Sequence, residues 1–203
     1  MSAEDVRDPA LNLVPARYDD LPAILALERS GFPPAEQWSG RSWSGELVGT
    51  GRTVLLARAE QTVGVISLFT TGELADLHRL VVAPSHRRSG VGRALVQAGL
   101  AAVRRLGALA VMLEVGYANE PAIALYQRLG FEQLRARPDY YGPGQHALIL
   151  KLYDLPGWSG RLAAQDREEQ RERAELAGYE PPVAGHEPLV AGHEPPVAGE
   201  ETL

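Results

Sequence analysis

Hydrophobic residues along the chain recur with two spacings, every second position in some segments and every third or fourth in others. The first spacing predicts strands that bury one face, and the second predicts helices with one apolar side. The predicted strands cover residues 11–17, 53–58, 62–70, 77–83, 109–115, 131–136 and 146–152. The predicted helices cover residues 20–30, 43–48, 90–106 and 119–129. Because strands and helices interleave, the sequence predicts a mixed α/β domain whose sheet is covered by helices.

A basic, glycine-containing segment joins a predicted strand to a predicted helix in the stretch from Leu77 to Ala94. Ser89 is expected to cap that helix, and Gly90 and Gly92 lie in its first turn. The first turn of a helix presents backbone N–H groups at the positive end of the helix dipole, so it binds anions readily. Three arginines add positive charge around this turn: Arg87, Arg88 and Arg93. The segment therefore predicts a phosphate-binding loop.

The spacing of the glycines separates this loop from two common nucleotide-binding motifs. A P-loop requires Gly-x-x-x-x-Gly-Lys-Ser/Thr, which the sequence lacks. A dinucleotide-binding fingerprint fits the acid at Glu114, but it requires a third glycine where Leu95 stands. That fingerprint also begins directly after its strand, whereas residues 85–89 separate strand and glycine here. The pattern that is left is Arg87-x-x-Gly90-x-Gly92 at the start of a helix.

Two residues on the following elements carry chemistry that suits catalysis, although each also fits a structural role. Glu114 interrupts an apolar strand, where an isolated acid most often faces solvent because charges are rarely buried without a partner. In a partly enclosed site, such a carboxylate would suit general-base work. Tyr126 belongs to the apolar side of its helix, which favours a place in the core. Taken one at a time, neither residue indicates an active site.

Taken together, the spacing of these residues resembles the GCN5-related N-acetyltransferase (GNAT) family. The run from Leu113 to Phe131, followed by Asp139-Tyr-Tyr-Gly-Pro-Gly144, is similar to the ribosomal-protein-alanine N-acetyltransferase branch of that family. The resemblance covers residues 11–152. It implies a GNAT-like mixed, mostly antiparallel central sheet flanked by helices. It also implies acetyl-CoA as the co-substrate and no metal.

By this resemblance, Glu114 is the general base for the attacking amine, and Tyr126 is the general acid that protonates the departing thiolate. The backbone of residues 80–82 is expected to hold the pantetheine arm as it would hold an added strand. The basic loop is expected to hold the pyrophosphate. The residues expected to contact the cofactor are Leu80, Val81, Val82, Arg87, Arg88, Ser89, Gly90, Val91, Gly92, Arg93 and Asn119.

The expected acceptor is a primary amine, and the resemblance implies the N-terminal α-amine of a protein, such as a ribosomal protein that begins with alanine. An α-amine has a pKa of about 7.7–8.0, against about 10.4 for lysine, so a carboxylate deprotonates it more easily. Two departures from the branch concern the acceptor. Gly116 stands where arginine is common, and Gln145-His146-Ala147 stands where Glu-Asp-Ala is common.

Two alternatives to this function stay open at the level of sequence. One is a GNAT enzyme that acetylates a small-molecule amine, such as a free amino acid, a polyamine or an antibiotic. The other, from a different class, is a catalytically silent sensor that binds acyl-CoA. The presence of both Glu114 and Tyr126 disfavours the sensor.

Composition predicts a protein that works without nucleic acid or membrane. The chain has 203 residues, of which 45% are hydrophobic, and its net charge of −6 comes from residues 156–203. A neutral body does not favour nucleic-acid binding. The chain contains no cysteine, which excludes disulfides and fits a reducing, cytoplasmic compartment. No signal peptide is expected in the acidic N-terminus, and no apolar run approaches the length of a membrane span.

The expected division of the chain is a GNAT domain at 1–155, a charged, helix-favouring linker at 156–180 and a tail at 181–203. The linker is too polar to bury much apolar surface. Three heptapeptides with proline and glycine make up the tail, which predicts a disordered segment with polyproline character. His186 and His193 in this tail lack the further donors that a metal site would need.

Overall fold

The computed structural model describes residues 11–140, 142 and 144–177, leaving out the side chains of residues 166, 169 and 172–177. The strands are β1 (Asn12–Pro15), β2 (Arg52–Arg58), β3 (Thr62–Thr71), β4 (Leu74–Val82), β5 (Ala110–Gly116), β6 (Glu132–Arg137) and β7 (Ala147–Leu152). The α-helices are α1 (Leu21–Gly31), α2 (Gly40–Val48), α3 (Val91–Arg105), α4 (Glu120–Arg128) and α5 (Leu155–Ala177). Every predicted strand and helix forms, with ends shifted by at most three residues.

All seven strands form one sheet in the order β1-β2-β3-β4-β5-β7-β6. Neighbouring strands run antiparallel, except for β4 and β5, which run parallel. A parallel pair needs a crossover connection, and α3 supplies it. The expected mixed, mostly antiparallel sheet flanked by helices is therefore confirmed.

The helix α3 packs closely against the sheet through an apolar stripe. Its buried hydrophobic residues are Val91, Leu95, Val96, Leu100 and Val103. Two glycines permit the close approach. A methyl group at Gly99 would lie 2.8 Å from Leu68 Cδ1, and one at Gly64 of β3 would lie 2.8 Å from Leu95 Cδ1. This packing fixes the start of α3 relative to β3 and β4, where the candidate site lies.

The other face of the sheet is covered by α1 and α2. Val65 belongs to their hydrophobic cluster, whereas Ile66 belongs to the cluster under α3. Successive strand residues point to opposite faces, so the two clusters lie on opposite sides. Trp43 of α2 is fully buried in the first cluster, and the half-buried ring of Trp38 lies 5.2 Å from it. Of the two tryptophans near α2, Trp43 therefore fills the core.

The helix α5 begins inside the compact body. Its buried residues are Leu155, Trp158 and Leu162. The indole N–H of Trp158 donates to the carbonyl of Leu129 at 2.7 Å. The expectation that the segment after Pro156 buries little is therefore wrong for its first turns, because the apolar residues at this spacing all face the core.

The compact unit that contains the sheet extends to Gln165, ten residues beyond the predicted boundary at 155, and a second unit begins at Asp166. In that second unit the structure describes α5 as far as Ala177. The predicted tail at 181–203, with its heptapeptides, lies outside the described residues. Among the helices that are described, none combines the length and the apolar character needed to cross a membrane.

Candidate active site

The parallel strands β4 and β5 pair over only four residues and then separate. The ladder joins residues 74–77 to residues 110–113. Beyond it, residues 78–82 of β4 and 114–116 of β5 have no partner in the other strand. Separated strands leave backbone N–H and C=O groups that can hydrogen-bond an extended ligand. Residues 80–82, predicted to hold a pantetheine arm, form the β4 side of this gap.

A bulge in β4 explains where the gap begins. Leu77 pairs with Leu68 of β3, and Arg79 pairs with Ser67, so His78 is an additional residue in β4. A bulge bends its strand and increases the local twist. The end of β4 therefore turns away from β5 directly after the last paired residue.

The basic loop leads into α3 as predicted, but a different residue caps the helix. Gly90 occupies the cap position with a φ of 88°, a left-handed conformation that glycine adopts most easily. The Ser89 hydroxyl instead donates to the carbonyl of His86 at 2.7 Å, so the prediction that Ser89 caps the helix is wrong. Because Gly90 has no side chain, no cap covers the N–H groups of Val91 and Gly92. These groups suit an anion at the helix N-terminus.

The arginines of the loop have different surroundings. The Arg87 guanidinium donates to the carbonyls of Val82 at 3.3 Å and Gly31 at 3.4 Å, so it ties the loop to the ends of β4 and α1. Arg88 is exposed and has a φ of 63°. Arg93 is half-buried in the first turn of α3. Arg87 therefore fixes the shape of the loop, while Arg88 and Arg93 place charge next to the helix start.

Tyr126 lies on α4, which packs beside the same helix start. A methyl group at Gly92 would lie 3.4 Å from Leu125 Cδ2 and 3.7 Å from Val82 Cγ2, so α4 and β4 meet there. Tyr126 is 5% exposed, and its ring meets that of Phe131 edge-on at 5.7 Å. Burial raises the pKa of the Tyr126 phenol above its ordinary value. The residue therefore stays protonated and can act as a donor.

Asn119 caps α4, as the sequence predicts. Its side-chain oxygen accepts a hydrogen bond from the backbone N–H of Ala122 at 3.3 Å. The chain arrives there from β5 through a tight turn, in which the N–H of Asn119 donates to the carbonyl of Gly116 at 2.9 Å. The cap uses the oxygen of the side chain, so the amide N–H groups can serve a ligand. The predicted cofactor contact and the cap are compatible.

Glu114 lies on β5 where the gap opens, on the face that α3 does not cover. Its carboxylate forms an ion pair with Arg137 of β6 and accepts a hydrogen bond from the Tyr140 hydroxyl. That hydrogen bond raises the pKa of Tyr140. The Arg137 guanidinium also lies 4.9 Å from the centre of the Tyr140 ring. The side chain of this predicted base is 32% exposed and is held by Arg137 and Tyr140, which the sequence did not connect with it.

The sequence did not predict a buried ion pair that lies beside the gap. Glu28 of α1 is 1% exposed and pairs with Arg79, the residue after the bulge. Its carboxylate also accepts hydrogen bonds from the backbone N–H of Trp38 at 2.9 Å and the indole of Trp43 at 3.2 Å. Arg79 donates in addition to the carbonyl of Glu36 at 2.7 Å. The pair therefore ties the α1–α2 connection to β4 next to the site.

Glu46 of α2 is a second buried carboxylate that the sequence did not indicate. It accepts a hydrogen bond from the Ser67 hydroxyl at 2.6 Å, and it lies 3.0 Å from Arg52 Nη1 and 3.4 Å from His78 Nδ1. Burial by itself would raise the pKa of Glu46. Hydrogen bonds with His78 and Ser67 and the charge of Arg52 outweigh burial, so the pKa lies below its ordinary value. This network fixes His78 at the bulge.

The arrangement can bind an extended ligand with an anionic end and expose its other end to a base. Backbone N–H groups at the start of α3 can donate hydrogen bonds to the anion, and the edge of β4 continues from there toward Glu114. The carboxylate at the gap can accept a proton, and the phenol of Tyr126, which is buried in the hydrophobic cluster under α3, can donate one. This combination suits acyl transfer to an amine.

The family model of the Acetyltransferase (GNAT) family matches residues 13–131. This range contains the gap, the basic loop, Glu114 and Tyr126. The chain belongs to the GNAT acetyltransferase family. The family resemblance given by the sequence is therefore confirmed, and the chain carries a GNAT acetyltransferase domain.

Among the relatives of this GNAT domain are ribosomal-protein-alanine N-acetyltransferases. The [ribosomal protein bS18]-alanine N-acetyltransferase of Escherichia coli is 31% identical over 126 residues, which is 60% of this chain and 81% of the relative. The crystal structure of the Escherichia coli ribosomal-protein-S18-alanine N-acetyltransferase has a TM-score of 0.65 and 26% identity, covering 71% of this chain and 94% of that chain. An uncharacterized Mycobacterium leprae protein is 34% identical over 138 residues, which is 65% of this chain. The matched part of the present chain spans only 38% of the length of the Mycobacterium leprae protein.

Proposed function

We propose that this GNAT domain transfers the acetyl group of acetyl-CoA to the α-amine of a protein N-terminus, such as that of a ribosomal protein beginning with alanine. The observation that carries the proposal is the gap between β4 and β5, which has an uncapped helix start near one end and Glu114 near the other. The likeness to the Escherichia coli enzyme supports the class of acceptor.

Acetyl-CoA fits this gap by the chemistry of the groups that line it. The N–H groups of Val91 and Gly92 would hold the pyrophosphate, with Arg88 and Arg93 adding charge. Backbone groups of residues 80–82 would hydrogen-bond the two amides of the pantetheine arm as they would bond a neighbouring strand. Asn119 would contribute its amide N–H groups.

In the proposed reaction Glu114 accepts, through a water, the proton that the acceptor ammonium loses. The amine nitrogen then forms a bond to the acetyl carbon, and the bond between that carbon and sulfur breaks. The Tyr126 hydroxyl donates its proton to the sulfur, and the proton that the nitrogen loses as it becomes the amide restores the hydroxyl through solvent. Burial keeps Tyr126 protonated, which suits it to this role.

The proposed acceptor is tested by the release of CoA thiol from acetyl-CoA with a panel of amines. We expect faster thiol release with a peptide that begins with free alanine than with either of two other amines. One is spermidine, and the other is the same peptide with a blocked N-terminus and a lysine. Mass spectrometry should place the acetyl group on the α-amine. A preference for spermidine or a free amino acid would favour the small-molecule alternative. Thiol release with none of the amines would favour the silent sensor.

Replacing Gly92 by glutamate tests the phosphate-binding loop. We expect the affinity for acetyl-CoA to fall about thirtyfold, which corresponds to ~2 kcal/mol, the upper range of the interaction between a charge and a helix terminus. The new carboxylate would lie where the pyrophosphate binds. A Cβ at this position has ordinary contacts of 3.4 Å and 3.7 Å, so the variant should fold. Calorimetric titration with acetyl-CoA measures the effect.

Gly45→Glu is the matched control for this variant. Gly45 also lies within a helix, and a Cβ there would meet nothing within 4 Å. The control should bind acetyl-CoA as the wild type does. Equal affinities of the two variants would show that the first turn of α3 does not hold the phosphates.

A further inference from the structure

The base assigned in the proposed function already has a cation beside it. Glu114 pairs with Arg137 and accepts the hydrogen bond of Tyr140. An α-amine is largely protonated at and below neutral pH, because its pKa is about 7.7–8.0. An acceptor ammonium that approaches Glu114 therefore meets the positive charge of Arg137. A second carboxylate nearby would offset this repulsion and hold the ammonium.

Asp76 of β4 lies where such a carboxylate is needed. It is opposite Met112 in the short ladder between β4 and β5, one residue before that ladder ends. Glu114 follows Met112 by two positions, so its side chain and that of Asp76 are on the same face of the sheet. With strands about 4.8 Å apart and a rise of about 3.3 Å per residue, their Cα atoms lie about 8 Å apart.

The surroundings of Asp76 leave its charge available to a ligand. None of the ion pairs among the described residues involves Asp76. The side chain is half-buried between its two paired neighbours, Phe69 of β3 and Met112. Burial raises the pKa of Asp76, the charge of His78 lowers it, and the charge of Glu114 raises it. A carboxylate that is partly dehydrated and forms no ion pair attracts a cation strongly.

The basic groups around this face already have other partners. Arg52 and His78 bind Glu46, and Arg137 binds Glu114. Lys151 of β7 stands beside Met112, with its ammonium 4.5 Å from the centre of the Tyr153 ring. These cations thus contact other groups, although the charge of His78 also acts on Asp76. Asp76 itself forms no ion pair among the described residues and can form one with an incoming cation.

We propose that Asp76 binds the ammonium group of the acceptor and that Glu114 then removes its proton. The inference rests on the proposed function and specifies its acceptor as an amine that arrives as a cation. Because the two side chains leave the same face of the sheet from Cα atoms about 8 Å apart, an ammonium can hydrogen-bond Asp76 while one water joins its nitrogen to Glu114. An ammonium has enough N–H donors to make both contacts at once.

The experiment compares the steady-state kinetics of Asp76→Asn with those of the wild type, using the amine that the wild type acetylates fastest. The KM for the amine should rise about 10- to 100-fold, the usual value of a hydrogen bond to a charged group. The KM for acetyl-CoA should stay unchanged, and kcat should change much less than the KM for the amine. Asp76→Glu, which keeps the charge, should recover part of the loss.

Glu73→Gln is the matched control, because it removes one negative charge from an exposed position just before β4. Its kinetics should equal those of the wild type. Calorimetry of the alanine peptide with the CoA-saturated protein repeats the comparison without turnover, and Asp76→Asn should bind the peptide more weakly than the wild type by a similar factor.

The outcomes separate this inference from the proposed function. Preference of the wild type for another amine would overturn the α-amine assignment and leave the comparison at Asp76 intact. If Asp76→Asn has the same KM for the amine and the same affinity for the peptide as Glu73→Gln, the proposed role of Asp76 is overturned. A loss in kcat alone would also overturn it, since that result would indicate a structural change around Glu114.

Discussion

Replacement of Glu114 by glutamine is expected to lower kcat by about 10²- to 10⁴-fold near neutral pH, the usual contribution of a general base. Glutamine keeps the size of the side chain but cannot take the proton of the amine. Part of the lost activity should return as the pH rises above about 7.7–8.0, because the α-amine then loses its proton to solvent. Thiol release measured on both sides of that pH gives the profile.

Three comparisons make this result specific to proton removal. Glu132→Gln changes an exposed carboxylate on β6 in the same way and should leave kcat unaltered. Tyr126→Phe removes the proposed donor, so its deficit should not shrink at high pH. The affinity of Glu114→Gln for acetyl-CoA should be unchanged, since Glu114 does not belong to the phosphate-binding loop. Full activity of Glu114→Gln at neutral pH would mean that Glu114 is not the base.

A chain that ends after Asp154 is expected to be unfolded at ordinary temperature, whereas a chain that ends after Gln165 should melt like the full chain. The shorter one loses Leu155, Trp158 and Leu162, which are 0%, 7% and 8% exposed. Loss of a large buried side chain costs about 2–5 kcal/mol. Three such losses are comparable with the whole stability of a typical domain, about 5–15 kcal/mol.

The chain ending at Gln165 serves as the control, because both truncations remove the acidic residues 166–203 and differ only in the first part of α5. Thermal denaturation followed by circular dichroism distinguishes them. Were the chain ending at Asp154 to melt within a few degrees of the full chain, the packing of Trp158 under Leu129 would not contribute to stability.

The local elements could be predicted because hydrophobic periodicity is a local property. The alternation of Leu113, Glu114 and Val115 already separates the buried face of β5 from its open face. The cap of α3 was missed because Ser89 and Gly90 both precede the helix. Which of the two occupies the cap position depends on the φ angle of Gly90, which the sequence does not reveal. A serine hydroxyl that finds a carbonyl in its own loop leaves the cap position to glycine.

The polar networks could not be predicted, since their members lie far apart in the chain. Glu28 and Arg79 are separated by 51 positions, and no spacing rule connects them. One signal was present: Glu28 follows Ile24 by four positions and so falls on the buried side of α1. Asp76 was missed for another reason, because the predicted strand began at Leu77. The bulge at His78 interrupts the alternation that would have extended it.

The four-residue ladder between β4 and β5 also has a consequence for the lifetime of the chain. In the described sheet, it joins a four-stranded ribbon to a three-stranded one. An acetyl-CoA molecule that hydrogen-bonds the separated strands would strengthen this connection. Any ligand that binds only the native state also stabilises the protein against unfolding. At a concentration 100 times its Kd, such a ligand adds about 2.7 kcal/mol. Under the proposed function, the supply of acetyl-CoA would thus govern how long the chain withstands proteases as well as how fast it works.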